Sequence, residues 1–85
     1  MDASIHCVVV HGMEGEQAVN ALHVYGAVEV WQQPDKRLIH IVVCPYGRYV
    51  VVTAPDGECV TAFTMDKSWA SMHDWIHAKK AKRIK

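Results

Sequence analysis

The stretch Arg48–Phe63, RYVVVTAPDGECVTAF, reads as a β-hairpin. Three consecutive valines enter, Ala-Pro-Asp-Gly at 54–57 reverses the chain, and alternating apolar residues leave. Proline presets φ at the first turn position, and glycine later supplies the positive φ that closes the turn. What needs explaining is that Val50, Val51 and Val52 are all apolar. A strand with one face in water should alternate.

Three more runs of the same kind surround this one: Ala27–Gln32, Leu38–Cys44 and Cys59–Met65. The links between the four are Gln-Pro-Asp-Lys, Pro-Tyr-Gly and Pro-Asp-Gly. Links this short join antiparallel neighbours, so the four runs predict a meander. Upstream, Ile5–Val10 is an apolar run that reads as a further strand ended by His11 and Gly12. From Glu14 to Tyr25 the period changes: Ala18, Ala21, Leu22 and Tyr25 share one helical face, and Gly26 suits the position just past the helix end. Downstream, Ser68–Lys82 reads as a second helix, capped by Asp66 or Ser68, with Trp69, Met72, Trp75 and Ile76 as its apolar stripe. The expected fold is α+β in the order β-α-β-β-β-β-α: an antiparallel sheet of about five strands flanked by two helices. Residues 1–85 form a single compact domain, with a basic helix end at 79–85.

The two central runs are apolar on both faces. Ile39, Ile41 and Val43 oppose Leu38, His40, Val42 and Cys44; Tyr49, Val51 and Thr53 oppose Val50 and Val52. Either each helix covers one face, or a second chain covers a face that the helices leave. Burying a valine or leucine is worth about 1.5–3 kcal/mol, so leaving several exposed would squander a small domain's stability. Two short helices do not easily cover both faces, so the sequence predicts a homodimer or a protein complex through the sheet, with Tyr49 and Val51 at the contact.

Composition narrows the function classes. The chain has 85 residues and zero formal net charge. Positions 1–66 hold eight acids and three bases, and positions 67–85 hold one acid and six bases, so an acidic body carries a basic end. No apolar run approaches the ~18 residues that cross a bilayer, so no membrane is expected. The N-terminus Met-Asp-Ala-Ser lacks the basic region of a secretory signal. Cys7, Cys44 and Cys59 are odd in number and form no C-x-x-C pair; in strand-like runs they read as small hydrophobes in a reducing, cytoplasmic compartment.

No catalytic constellation stands out. HGMEG at 11–15 lacks the third glycine and basic residue of a phosphate loop and reads as a turn. His73 and His77 share a helical face, but no third ligand has motif spacing, so neither a metal nor another cofactor is expected. The stretch DKRLIHIVVCPYGRYVVV at 35–52 resembles the basic strand pair of small ribonucleases of the RelE and barnase type. That resemblance implies metal-independent RNA cleavage by Lys36, Arg37, His40, Tyr46, Arg48 and Tyr49. The acidic body opposes it, because holding RNA takes cations. KKAKRIK at 79–85 is the other charged feature, and Lys79, Lys80, Lys82 and Arg83 are its candidate binding residues for nucleic acid or an acidic protein patch. The general build resembles small phage or mobile-element inhibitors, including the anti-CRISPR type. The function expected is a non-catalytic interaction protein acting by stoichiometric binding.

Overall fold

A computed structural model describes the backbone of residues 5–65 and 68–85, and the side chains from residue 15 onward within those ranges. The fold is α+β. Its elements are α1 (Ile5–Tyr25), β1 (Glu29–Gln32), β2 (Leu38–Cys44), β3 (Gly47–Thr53), β4 (Cys59–Thr64), α2 (Trp69–Ala78) and β5 (Lys82–Arg83). The strands form one antiparallel sheet in the order β4-β3-β2-β1-β5. The four-stranded meander is as expected, and a helix flanks each face.

That arrangement explains the apolar run 50–52. Val51 faces α1 with Val42, Tyr49 and Ala62, and meets Ala18, Val19 and Ala21. Val50 and Val52 face the other way with Ile39 and Ile41, and meet Met72 and Ile76 of α2. Val51 is 0% exposed. The expectation that a partner covers the sheet is therefore corrected: each face is covered by the chain's own helix. The two helices do this differently. α1 presents Ala18 and Ala21, small enough to bring its Cα atoms within 8 Å of β2, β3 and β4. α2 reaches the sheet through longer side chains, Met72 and Ile76.

Two element assignments also change. Ile5–Val10 is not a strand but the first part of α1, which runs unbroken through Gly12 and Gly15, so HGMEG is helical and not a turn. A short apolar run cannot be told from a buried helix segment by periodicity. The fifth strand comes instead from the C-terminus, where 79–85 was expected as a helix end. α2 begins at Ser68, whose hydroxyl accepts the Ser71 N–H at 3.2 Å; Asp66, the other capping candidate, lies outside the described residues. It ends at Ala78, and Lys80 then takes a left-handed φ of 58°. Lys80 N–H donates to the His77 carbonyl at 2.9 Å and Ala81 N–H to that of Ile76 at 3.5 Å, while Ala81 and Ile76 are both buried. This is a Schellman ending with lysine where glycine is usual. It sends the chain back along β1, where Ile84 N–H donates to the Val30 carbonyl at 2.8 Å. The other helix end is as read: Gly26, at φ 74°, donates to the Leu22 carbonyl at 3.0 Å.

The β1–β2 and β3–β4 turns share one design. Lys36 N–H donates to Gln33, and Gly57 N–H donates to Ala54. In each, the aspartate accepts the N–H two residues on: Asp35 from Arg37, and Asp56 from Glu58, both at 3.0 Å. The residue that follows the aspartate sits at positive φ, 92° for Gly57 and 76° for Lys36. A side chain there costs about 1–2 kcal/mol that glycine avoids, offset in part by glycine's greater entropy loss. Lys36→Gly is therefore expected to raise the unfolding free energy by up to about 1 kcal/mol. Urea denaturation should show a higher midpoint at unchanged slope, and a lower midpoint would contradict this reading of the turn.

Candidate partner-binding surfaces

With both sheet faces covered, the surfaces left for recognition are an edge and an end. The edge is basic. Lys79, Lys80, Lys82, Arg83 and Lys85 are all exposed along the turn after α2 and the outer strand β5. Lys79 places its Nζ over the Trp75 ring, 4.7 Å from the centroid. Arg83 donates from Nε to the Lys85 carbonyl at 3.0 Å. Among the described residues, none of the five forms an ion pair with a carboxylate.

Behind this edge lies a buried carboxylate. Glu29 is on the α2 side of β1, where it accepts the Trp31 Nε1–H at 2.8 Å and stands 3.1 Å from His73 Nε2 on α2. Burial works to raise the Glu29 carboxyl. The hydrogen bonds from Trp31 and His73, with the charges of His73 and Arg83, outweigh burial and hold the carboxyl below its ordinary value. Trp69 and His77 extend the cluster: the His73 ring lies 5.7 Å from Trp69, His77 stands edge-on to Trp31 at 5.5 Å, and Arg48 lies over Trp69 at 5.5 Å. His73 and His77 thus both pack against the Trp31 ring, and His73 alone of the two also meets Glu29. No group of three His, Cys, Asp or Glu among the described residues is arranged to hold a metal. The cluster ties α2 to β1, and through β1 positions the basic edge.

The end is lined, among the described residues, by uncharged side chains. A cleft of about 510 Å³ opens between α1, through Gln17, Asn20, Ala21, Val24 and Tyr25, and the β2–β3 hairpin, through Cys44, Tyr46 and Tyr49. Tyr25, expected on the core stripe, is half exposed here. Tyr46 is 82% exposed and Val24 72%. Tyr49 is only 8% exposed, so of the two sheet residues expected at a partner contact Val51 is core and Tyr49 reaches the surface only through this cleft.

The residues proposed for RNA cleavage do not converge. His40 lies on the α1 face, its Nε2 3.0 Å from Thr53 Oγ1. Burial, and then the charge of Lys85, push its imidazole below the ordinary value. Arg48 lies on the opposite face over Trp69, while Lys36 and Arg37 occupy the β1–β2 turn, Arg37 paired with Asp35 at 3.5 Å. Tyr46 stands at the other end of β2. The cysteine reading also changes: Cys44 is free, but Cys59 is disulfide-bonded, so the inference of a reducing compartment from three free thiols loses its premise. No helix among the described residues is long and apolar enough to cross a membrane.

No family model, curated protein or solved structure matches the chain. The Glu29–His73 contact spans 44 positions and has no local motif. Its one signal is strand alternation, which puts Glu29 on the same inward face as Trp31, Ile39 and Ile41.

Because the native carboxyl is held below its unfolded value of about 4.3, Glu29 contributes stability above that pH and loses it as pH falls through the folded value. Glu29→Gln should cost about 1–3 kcal/mol at pH 7. Thermal unfolding of both proteins should show the gap constant above about pH 5 and shrinking below about pH 4. A gap that is absent at pH 7, or that widens in acid, would contradict this role.

Proposed function

We propose that the protein is a small non-catalytic interaction module that binds another macromolecule stoichiometrically through its basic edge. One observation carries the reading: Lys79, Lys80, Lys82, Arg83 and Lys85 are exposed together and unpaired with any described carboxylate. A patch of that kind steers and orients an anionic surface, and it complements an acidic region on a protein partner. The scattered positions of Arg37, His40 and Arg48 argue against a cleavage site. The inhibitor role of phage or mobile-element proteins suits this build as analogy of architecture.

Nucleic acid is the second reading, favoured by the same five cations. Salt separates it from the first. Each phosphate neutralised contributes roughly one unit to the log–log slope of affinity against salt, and non-specific binders manage only about 10⁻⁴–10⁻⁶ M at physiological salt. The test uses the full chain as bait in nuclease-treated lysate, beside anisotropy titrations with labelled RNA and DNA in ~150 mM salt. The expected result is one protein captured in 1:1 ratio and lost when Lys79, Lys80, Lys82 and Arg83 are all changed to alanine, with no submicromolar nucleic-acid binding. Submicromolar, steeply salt-dependent binding would transfer the function to nucleic acid. RNA cleavage abolished by Arg37→Ala or His40→Ala would overturn both readings.

A further inference from the structure

The uncharged end is separate from the basic edge and calls for its own account. Of the seven large apolar side chains exposed among the described residues, four, Val24, Tyr25, Val28 and Tyr46, lie on the α1 side where α1 finishes and the β2–β3 hairpin turns. Val28 belongs here because its N–H donates to the Ile41 carbonyl at 2.8 Å, which sets it beside Val42 at the head of β1. Exposed apolar groups scattered singly need no explanation, whereas a gathered patch marks an interface.

We propose that this end is a two-fold interface between copies of the chain, in which Tyr46 of each copy enters the cleft of the other. The patch supplies a knob and a hole side by side. Tyr46 is the most exposed of the described large apolar residues, at 82%, and it stands on the rim of a cleft of about 510 Å³. That volume falls within the ~300–1,000 Å³ of pockets that take small organic ligands, so an aromatic side chain with its flanking backbone fits it. When knob and hole lie on one patch, a two-fold axis satisfies both at once, since residue i meets j and j meets i.

The knob beside the hole selects a second copy as the occupant, and charge does not oppose it. Every described residue lining the cleft is uncharged, and the whole chain has zero formal net charge, so two copies approach without the like-charge penalty that normally separates identical surfaces. The cleft is also equipped for a tyrosine in particular. Tyr49 is more than nine-tenths buried, and its hydroxyl bonds no described residue. Since no described buried side-chain polar atom lacks a partner, that hydroxyl opens to the cleft, where it can exchange a hydrogen bond with an incoming phenol. Gln17 and Asn20, exposed on the α1 wall, add amide donors and acceptors at the rim. Tyrosine suits such a contact because it brings a large rigid ring and a polar tip at low entropy cost.

Sedimentation velocity of the full chain across ~1–100 µM tests this, in the concentration range of modest homodimers. A reversible dimer is expected for wild type. Tyr46→Ser should weaken it at least tenfold, and Val24→Lys, which places like charges across the axis, should do the same; circular dichroism should show both variants folded. Changing Lys79, Lys80, Lys82 and Arg83 to alanine should leave the dimer intact, which keeps this result independent of the partner-binding reading. A wild-type chain that stays monomeric at 100 µM would overturn the proposal, as would a dimer unchanged by both variants. So would a dimer that Cys44→Ser abolishes, which would point to a Cys44 cross-link, or a monomer whose capture of a different protein depends on Tyr46.

Discussion

The structure depends on the pairing of β2 with β3. Seven rungs, from Leu38 opposite Thr53 to Cys44 opposite Gly47, put branched apolar side chains on both faces of the sheet. Such a pair holds together only if both faces are dry, because each exposed valine or isoleucine forfeits about 1.5–3 kcal/mol in a chain with little stability to spare. The chain meets that constraint with one helix on each side. α1 closes one face at short range with small residues, and α2 closes the other with Met72 and Ile76. The Schellman ending at Lys80 then returns the chain to β1, so covering the second face also builds the outer strand.

The constraint decides where recognition can occur. A sheet sealed on both faces has no open face to offer a partner, and both proposed contacts accordingly lie at the rim. The rim is divided by charge. The β5 edge gathers the cations of residues 79–85, anchored from beneath by Glu29, Trp31 and His73. The end where α1 meets the β2–β3 hairpin holds a cleft whose described lining, tyrosines and a valine among it, is uncharged. Salt would weaken a contact at the first surface far more than one at the second, so the two proposed contacts differ physically. If copies pair through the uncharged end, each dimer carries two basic edges, and a partner with two acidic sites would gain from avidity.

Much of the architecture was legible because it is written in local chemistry. Pro-Asp followed by a residue at positive φ marks two hairpin turns, Gly26 marks the end of α1, and the apolar spacing of Met72 and Ile76 marks the buried side of α2. The errors fall where the local signal is ambiguous or atypical. Ile5–Val10 is rich in β-branched residues, which favour strands, yet its backbone forms the first turns of α1. The turn at Lys80 was invisible because lysine occupies a position that glycine usually signals. The site was less legible than the fold. The basic residues were apparent from composition, but their placement on an edge strand was not. Glu29 meets His73 only through the fold, and the cleft combines residues from α1 and the β2–β3 hairpin that no motif connects.

The central claim, that both faces of the β2–β3 pair are covered within one chain, is tested most directly by isotope-filtered nuclear Overhauser spectroscopy on an equal mixture of labelled and unlabelled protein. Contacts from Val51 to Val19 and from Val50 to Ile76 should appear within labelled chains and be absent from the filtered, between-chain spectrum. If either contact appears only between chains, a neighbouring copy covers that face and the account of the fold fails.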